Sequence, residues 1–241
     1  MEHVRRSGII KDRIIAVDRP GMGFSDFKRR RQILDWPADV TELANHLKLD
    51  LFAVLGISGG GPYAAACAYQ IPERLTHTAI VSGIGPADAP GAREGLAWFL
   101  MGKPSLLRWF ILSLMSLGIR KNPAQFMTRS KESLPQPDTL ILSRPEVEKA
   151  YIDAIIESFR NGVKGANHDA ALFIRPWRFA LKDIKTEVHL WHGELDRNVP
   201  VSVGRFVAGA IPDCRATFFK GEAHLSAARN HMAEILAVLT A

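Results

Sequence analysis

Cysteine is nearly missing from this chain: there are 2 in 241 residues, Cys67 and Cys214. Two such distant thiols cannot form a disulfide scaffold, and Cys67 stands in an Ala-rich run as a small apolar residue. So little cysteine points to a reducing compartment, and therefore to a cytoplasmic protein. The 8 histidines include no H-x-x-x-H or H-E-x-x-H pair, so no metal site is expected. Gly59-Gly60-Gly61 is not followed by the Lys-Ser/Thr of a phosphate loop. Long apolar runs are missing too. Trp109–Leu117, flanked by Arg108 and Arg120, is about half of the roughly 20 residues that a spanning helix needs, so a buried or lipid-facing helix is expected and no membrane span. The charged start, Met1 to Arg6, is not followed by the apolar stretch and cleavage site of a secretory signal. Acid is in deficit, 25 against 31 basic residues, which leaves a net charge of +6 and allows weak attraction to anions. The densest basic run, Lys28-Arg29-Arg30-Arg31, follows a turn-rich segment and is expected to be a solvated loop. It lacks the aromatic or motif pattern of a nucleic-acid partner, so none is expected.

What the chain does have is enough apolar residue for a sizeable core, 47% against 23% charged, at a length that fits one domain with an insertion. Arg13–Val17 is a β-branched apolar run broken by Asp18-Arg19-Pro20-Gly21, which predicts a buried strand entering a turn. Val40, Leu43, Ala44 and Leu47 recur at helical spacing behind Pro37, predicting a helix over Pro37–Lys48. Leu51–Leu55 predicts a strand, Pro62–Gln70 a helix and Thr78–Val81 another strand. This alternation predicts a parallel sheet with helices on both faces. From residue 86 to 175 strands give way to helical periodicity, with Ser143 and Glu146 expected as a capping box and a stripe from Val147 to Phe159 behind them. The α/β rhythm returns with strands at Glu187–Trp191 and Arg215–Phe219, a helix at Val201–Ala210, and a closing amphipathic helix marked by Leu225 to Leu239. The division is therefore 1–85 and 176–241 as two parts of one core, with 86–175 inserted between them.

Chemistry concentrates at the predicted carboxyl ends of the strands, where such a sheet places its active groups. Gly56-Ile57-Ser58-Gly59-Gly60 is a G-x-S-x-G pattern between strand and helix, a serine on a sharp turn with glycines where side chains would clash. A serine hydroxyl is a weak nucleophile and needs a base, usually a histidine oriented by a carboxylate. Two later strand ends supply these: His192-Gly193-Glu194-Leu195-Asp196 and Gly221-Glu222-Ala223-His224. The chain order Ser58, Asp196, His224 is the order of an α/β-hydrolase triad.

On these residues the sequence resembles the α/β-hydrolase superfamily. Asp18–Asp26 is similar to the segment after that family's fourth strand, Gly56–Gly60 to its nucleophile elbow, Trp191–Asp196 to its acid loop and Gly221–His224 to its histidine loop. The resemblance implies a mostly parallel sheet in which 86–175 is the helical cap. It also implies a serine hydrolase that acts on a carboxylic ester or related acyl bond of a small apolar substrate, with no cofactor. Ser58 would be the nucleophile, His224 the base, Asp196 the acid and the Gly59 N–H an oxyanion donor. Asp88 is the alternative acid, because some members carry it there. His168-Asp169 is adjacent on a helix, so its side chains should point apart and serve structure. Met101, Trp98, Phe99, Trp109 and Phe110 are candidates for an acyl pocket or for packing between cap and core. The family normally begins with three further strands and a His-Gly loop that supplies a second oxyanion donor. The chain starts past them, so an N-terminally truncated member is expected, with sheet edges exposed at Arg13–Val17 and Leu51–Leu55 unless the two pair directly. Losing one of two oxyanion donors costs about 10²–10³ in rate, which opens the alternative of a silent scaffold that binds a ligand or partner.

Overall fold

The computed structural model describes residues 13–241. Four strands form one sheet in the order of the chain: β1 (Phe52–Ile57), β2 (Leu75–Val81), β3 (Val188–Gly193) and β4 (Cys214–Phe219). Every neighbouring pair is parallel. Parallel strands need crossovers, and those crossovers are the helices. Helix α1 (Trp36–His46) precedes β1, and α2 (Gly61–Gln70) links β1 to β2. Between β2 and β3 lie α3 (Leu96–Met101), α4 (Ser105–Lys121), α5 (Pro123–Ser133), α6 (Gln136–Leu142), α7 (Pro145–Ser158) and α8 (Lys164–Phe173), with no strand among them. Helix α9 (Val201–Ala210) links β3 to β4, and α10 (His224–Asn230) and α11 (Met232–Leu239) close the chain.

Strand side chains alternate between faces, and both faces here are covered. Val54, Ile80, Val188 and Leu190 pack with Ala64–Ala68 of α2 and Val207 of α9. Leu55, Ala79, Val81 and Trp191 pack on the opposite face with Ala228 of α10 and Ile235 and Leu239 of α11. Because the strands are parallel, their carboxyl ends share one edge. The loops that follow β1, β3 and β4 therefore meet there.

The sequence expectation fails at four places. Arg13–Val17 belongs to no strand, and Ile14, Ile15 and Val17 are exposed. An apolar β-branched run becomes a strand only beside a ladder partner, and β1 pairs with β2 alone among the described residues. Ser143 is not the cap of α7: Pro145 takes the first helical position, Arg144 is the N-cap, and Ser143 Oγ donates back to Thr139 O at 2.8 Å. The closing helix is two helices broken at His231, whose ring stacks on Phe219 at 3.5 Å. Finally, Lys28, Arg29 and Arg30 are exposed but Arg31 is buried.

A buried carboxylate explains Arg31. Asp169 of α8 accepts from Arg31 Nη2 and from the Tyr63 hydroxyl at Oδ1 (2.7 Å from Tyr63), and from Arg19 Nε at Oδ2 (2.7 Å). Tyr63 in turn accepts from Arg31 Nη1 at 2.6 Å. Burial, with Asp169 beside it, raises the Tyr63 phenol above its usual range. This network ties α8 to α2 and to the segment before α1. Asp169→Ala takes their shared carboxylate from two guanidiniums, one of them buried, and should cost about 3–5 kcal/mol. Urea unfolding monitored by circular dichroism measures it, and an unchanged midpoint would mean the network carries no stability.

Candidate active site

Ser58 follows β1 directly and opens a short 3-10 turn, Ser58–Gly60, that leads into α2. Its φ is +53°, a conformation that costs a non-glycine residue roughly 1–3 kcal/mol and persists only where neighbours impose it. Ser58 O accepts from the N–H of Ile84 at 3.0 Å, which ties the turn to the end of β2. The glycines around Ser58 do not share one reason. A Cβ on Gly56 would lie 2.4 Å from Gly60 O, so strand and helix could not close on each other. A Cβ on Gly60 would meet nothing within 4 Å, so steric exclusion does not account for that position.

The loop after β4 brings His224 to this turn. His224 Nε2 lies 2.9 Å from Ser58 Oγ, and Nδ1 lies 2.7 Å from Asp196 Oδ2 in the loop after β3. Asp196 and His224 are buried, and Ser58 is half-buried. Burial by itself would raise the Asp196 carboxyl. Hydrogen bonds from His192 and then His224 more than offset this and bring it down to about 2. Asp196 is therefore an anion at neutral pH and can only accept. That fixes the hydrogen of His224 on Nδ1 and leaves Nε2 to accept from the serine hydroxyl. The second oxygen of Asp196, Oδ1, accepts from the N–H groups of Asn198 (2.8 Å) and Val199 (2.9 Å), which fixes the plane of the carboxylate. His192 is fully buried, with Nε2 2.8 Å from Val199 O and 3.4 Å from Asp196 Oδ2. The structure thus brings Ser58, His224 and Asp196 into one hydrogen-bonded line.

The other candidates are elsewhere. Asp88 is exposed and makes no hydrogen bond to His224. His168 and Asp169 serve structure at the same arginine: His168 Nε2 lies 3.1 Å from Arg31 O, and Asp169 accepts from the Arg31 side chain. Gly59 is the second residue of the turn, with the Phe173 ring and the Arg19 guanidinium beside it. Trp98 and Met101 line a narrow cleft with Ile84, Phe173, Val199 and Val203. Phe99, Trp109 and Phe110 are exposed and do not line this cleft. Among the described residues no group of His, Cys, Asp and Glu could hold a metal ion.

One residue of this site escaped the sequence reading. His224 is the first residue of α10, whose N-cap, Ala223, has no side-chain oxygen to satisfy the helix's first N–H groups. Asp138 of α6 does so from outside: its Oδ1 accepts from the N–H groups of Leu225 and Ser226, each at 2.9 Å. Asp138 is fully buried. An alanine at a helix start is the one sequence signal that the cap comes from elsewhere. The donor of that cap is 87 residues away, beyond any local pattern.

The match to known families covers residues 11–227 and falls on the α/β hydrolase fold. No curated protein sequence is similar enough to match. Among solved structures, an α/β hydrolase fold protein from Nakamurella multipartita is 22% identical with a TM-score of 0.64, over 93% of this chain and 82% of that one. An esterase from Rhodococcus sp. ECU1013 is 20% identical with a TM-score of 0.66, over 95% and 80%. A thermophilic esterase from Thermogutta terrifontis is 18% identical with a TM-score of 0.64, over 90% and 75%. At such identities the likeness is one of fold. No described helix is long and apolar enough to cross a membrane.

Proposed function

The chain belongs to the α/β hydrolase fold family, and from that premise we propose that it is a serine hydrolase cleaving a carboxylic ester or related acyl bond of a small apolar substrate. One observation carries the reading: Ser58 Oγ, His224 and Asp196 lie in a line of hydrogen bonds of 2.9 and 2.7 Å at the carboxyl edge of the sheet. Ser58 attacks the carbonyl carbon while its proton passes to His224 Nε2. The imidazolium is held by the Asp196 anion and returns the proton to the leaving group; the neutral imidazole then takes a proton from the water that attacks the acyl-enzyme and gives it to the departing Ser58 oxygen. The Gly59 N–H faces the developing oxyanion as a donor. Residues 86–175 act as the cap, with Trp98, Met101 and Phe173 giving an apolar wall on the acyl side. No cofactor takes part, and the two free cysteines fit a cytoplasmic setting.

The test is covalent labelling. A fluorophosphonate should modify Ser58 stoichiometrically, and a short-chain nitrophenyl ester should be hydrolysed with a burst of about one equivalent. A folded protein that neither labels nor turns over would leave the silent-scaffold reading in its place.

The cap is also given a mechanical part by Asp138. If its carboxylate holds the start of α10, Asp138→Ala takes the partner from the N–H groups of Leu225 and Ser226, the second of them buried, and lets His224 shift. The expected loss is about 10–10² in kcat with KM little changed, together with about 1–3 kcal/mol of stability. Steady-state kinetics measures the split. A rise in KM alone would assign Asp138 to substrate binding instead.

A further inference from the structure

Helix α4 is apolar nearly all round, yet only one of its faces is buried. Arg108, Leu112 and Ile119 point inward, against α5, α7 and α8 among others. The opposite face carries Leu106, Phe110, Leu114 and Leu117 at spacings of four, four and three, one stripe of a helix. Leu106 is 83% exposed, Phe110 53% and Leu117 48%. Trp109 flanks the stripe, and Phe99 of α3 is exposed just before it. Scattered exposed leucines need no explanation, but a contiguous aromatic and aliphatic face of this length marks an interaction surface.

The charges around the face say what it meets. From Gly95 to Lys131 the chain contains no Asp or Glu. Within that stretch Arg108 is buried on the carbonyls of Met101 and Lys103, and Lys131 pairs with Glu148. Arg120 Nη2 is engaged too, donating to Ile156 O and Phe159 O at the end of α7, each at 3.0 Å, which leaves three basic residues: Lys103, with its ammonium 4.1 Å from the Phe99 ring, and exposed Lys121 and Arg129. Lys121 continues the stripe, four residues past Leu117. A second copy of this chain would set these like charges against each other, which disfavours self-pairing. A spanning mode does not fit either, since 17 residues fall short of about 20 and the inner face is packed on the fold. An apolar stripe with aromatic shoulders, and with Lys103, Lys121 and Arg129 beside it, matches a helix lying in the headgroup layer of an anionic bilayer.

We propose that the outer face of α4 docks this protein on an anionic lipid surface, with Leu106, Phe110, Leu114 and Leu117 entering the headgroup boundary and Lys103 and Lys121 meeting lipid phosphates or carboxylates. The docking does not depend on Ser58. The test is co-sedimentation with phosphatidylcholine vesicles containing about one third phosphatidylserine, against pure phosphatidylcholine, at low and high salt. The expected result is at least about tenfold tighter binding to the anionic vesicles, weakened by salt. Phe110→Ser with Leu114→Ser should lose about tenfold or more while keeping the parent's thermal midpoint, since both side chains are exposed. Lys121→Glu should lose about fivefold or more, and Ser58→Ala should bind like the parent whether or not the chain is a hydrolase. Equal binding to both vesicle types, or binding to neither, overturns the proposal. So does a dimer in sedimentation velocity that the serine pair dissociates while vesicle binding is absent, because a second copy would then cover the face.

Discussion

Ser58→Ala should lower ester turnover by about 10⁶, His224→Ala should cost nearly as much, and the double variant should be no worse than either. In the proposed mechanism the two side chains act in one step. His224 Nε2, 2.9 Å from Ser58 Oγ, has nothing to deprotonate once the hydroxyl is gone, and the hydroxyl has no acceptor once the imidazole is gone. Under the proposed mechanism either loss leaves only what binding and the Gly59 N–H would provide. Initial rates on a nitrophenyl ester, with fluorophosphonate labelling as a second readout, separate the outcomes. Additive losses would mean that the two residues serve different steps. Alanine at position 58 keeps the +53° φ and so relieves no backbone strain, while His224→Ala takes a hydrogen bond from the buried Asp196 carboxylate and should lower stability as well as rate.

The line through Ser58, His224 and Asp196 was legible in the sequence because each lies on a strand-to-loop junction, and a parallel sheet puts those junctions on one edge. Strand existence came from short β-branched runs and helices from period and proline. What stayed hidden was long-range or negative. Arg13–Val17 has the composition of a strand, but composition does not say whether a ladder partner is present. Arg31 sits in a run of four basic residues and looks like its exposed neighbours, yet Asp169, 138 residues later, draws it into the core. Asp138 caps a helix that begins 86 residues after it, and nothing near Ala223 names it. Phe99, Trp109 and Phe110 illustrate the reverse error: large aromatics imply burial by default, and here a surface keeps them.

Asp196→Asn should leave the fold intact and lower kcat by about 10⁴, the size that the same exchange produces in other serine triads. The geometry gives the cause. Asp196 Oδ1 accepts two backbone N–H groups, from Asn198 and Val199, so an asparagine must put its carbonyl oxygen there. Its NH₂ then occupies the place of Oδ2, 2.7 Å from His224 Nδ1, where it can only donate. Nδ1 becomes the acceptor, the ring proton moves to Nε2, and Nε2–H now faces the serine that it should deprotonate. Nitrogen shifts of the His224 ring should show the tautomer exchanged, and an unchanged Nδ1–H signal alongside a large rate loss would contradict this account. The pH dependence adds a check with a defined sign. The Asp196 carboxyl is depressed to about 2 against about 3.9 in an unfolded chain, so its contribution to stability is present above the higher value and is lost as pH falls through the lower one. Asparagine has no such titration. The gap in stability between parent and variant should therefore be largest near neutral pH and should close between about pH 4 and pH 2, which acid unfolding of the two proteins side by side can measure.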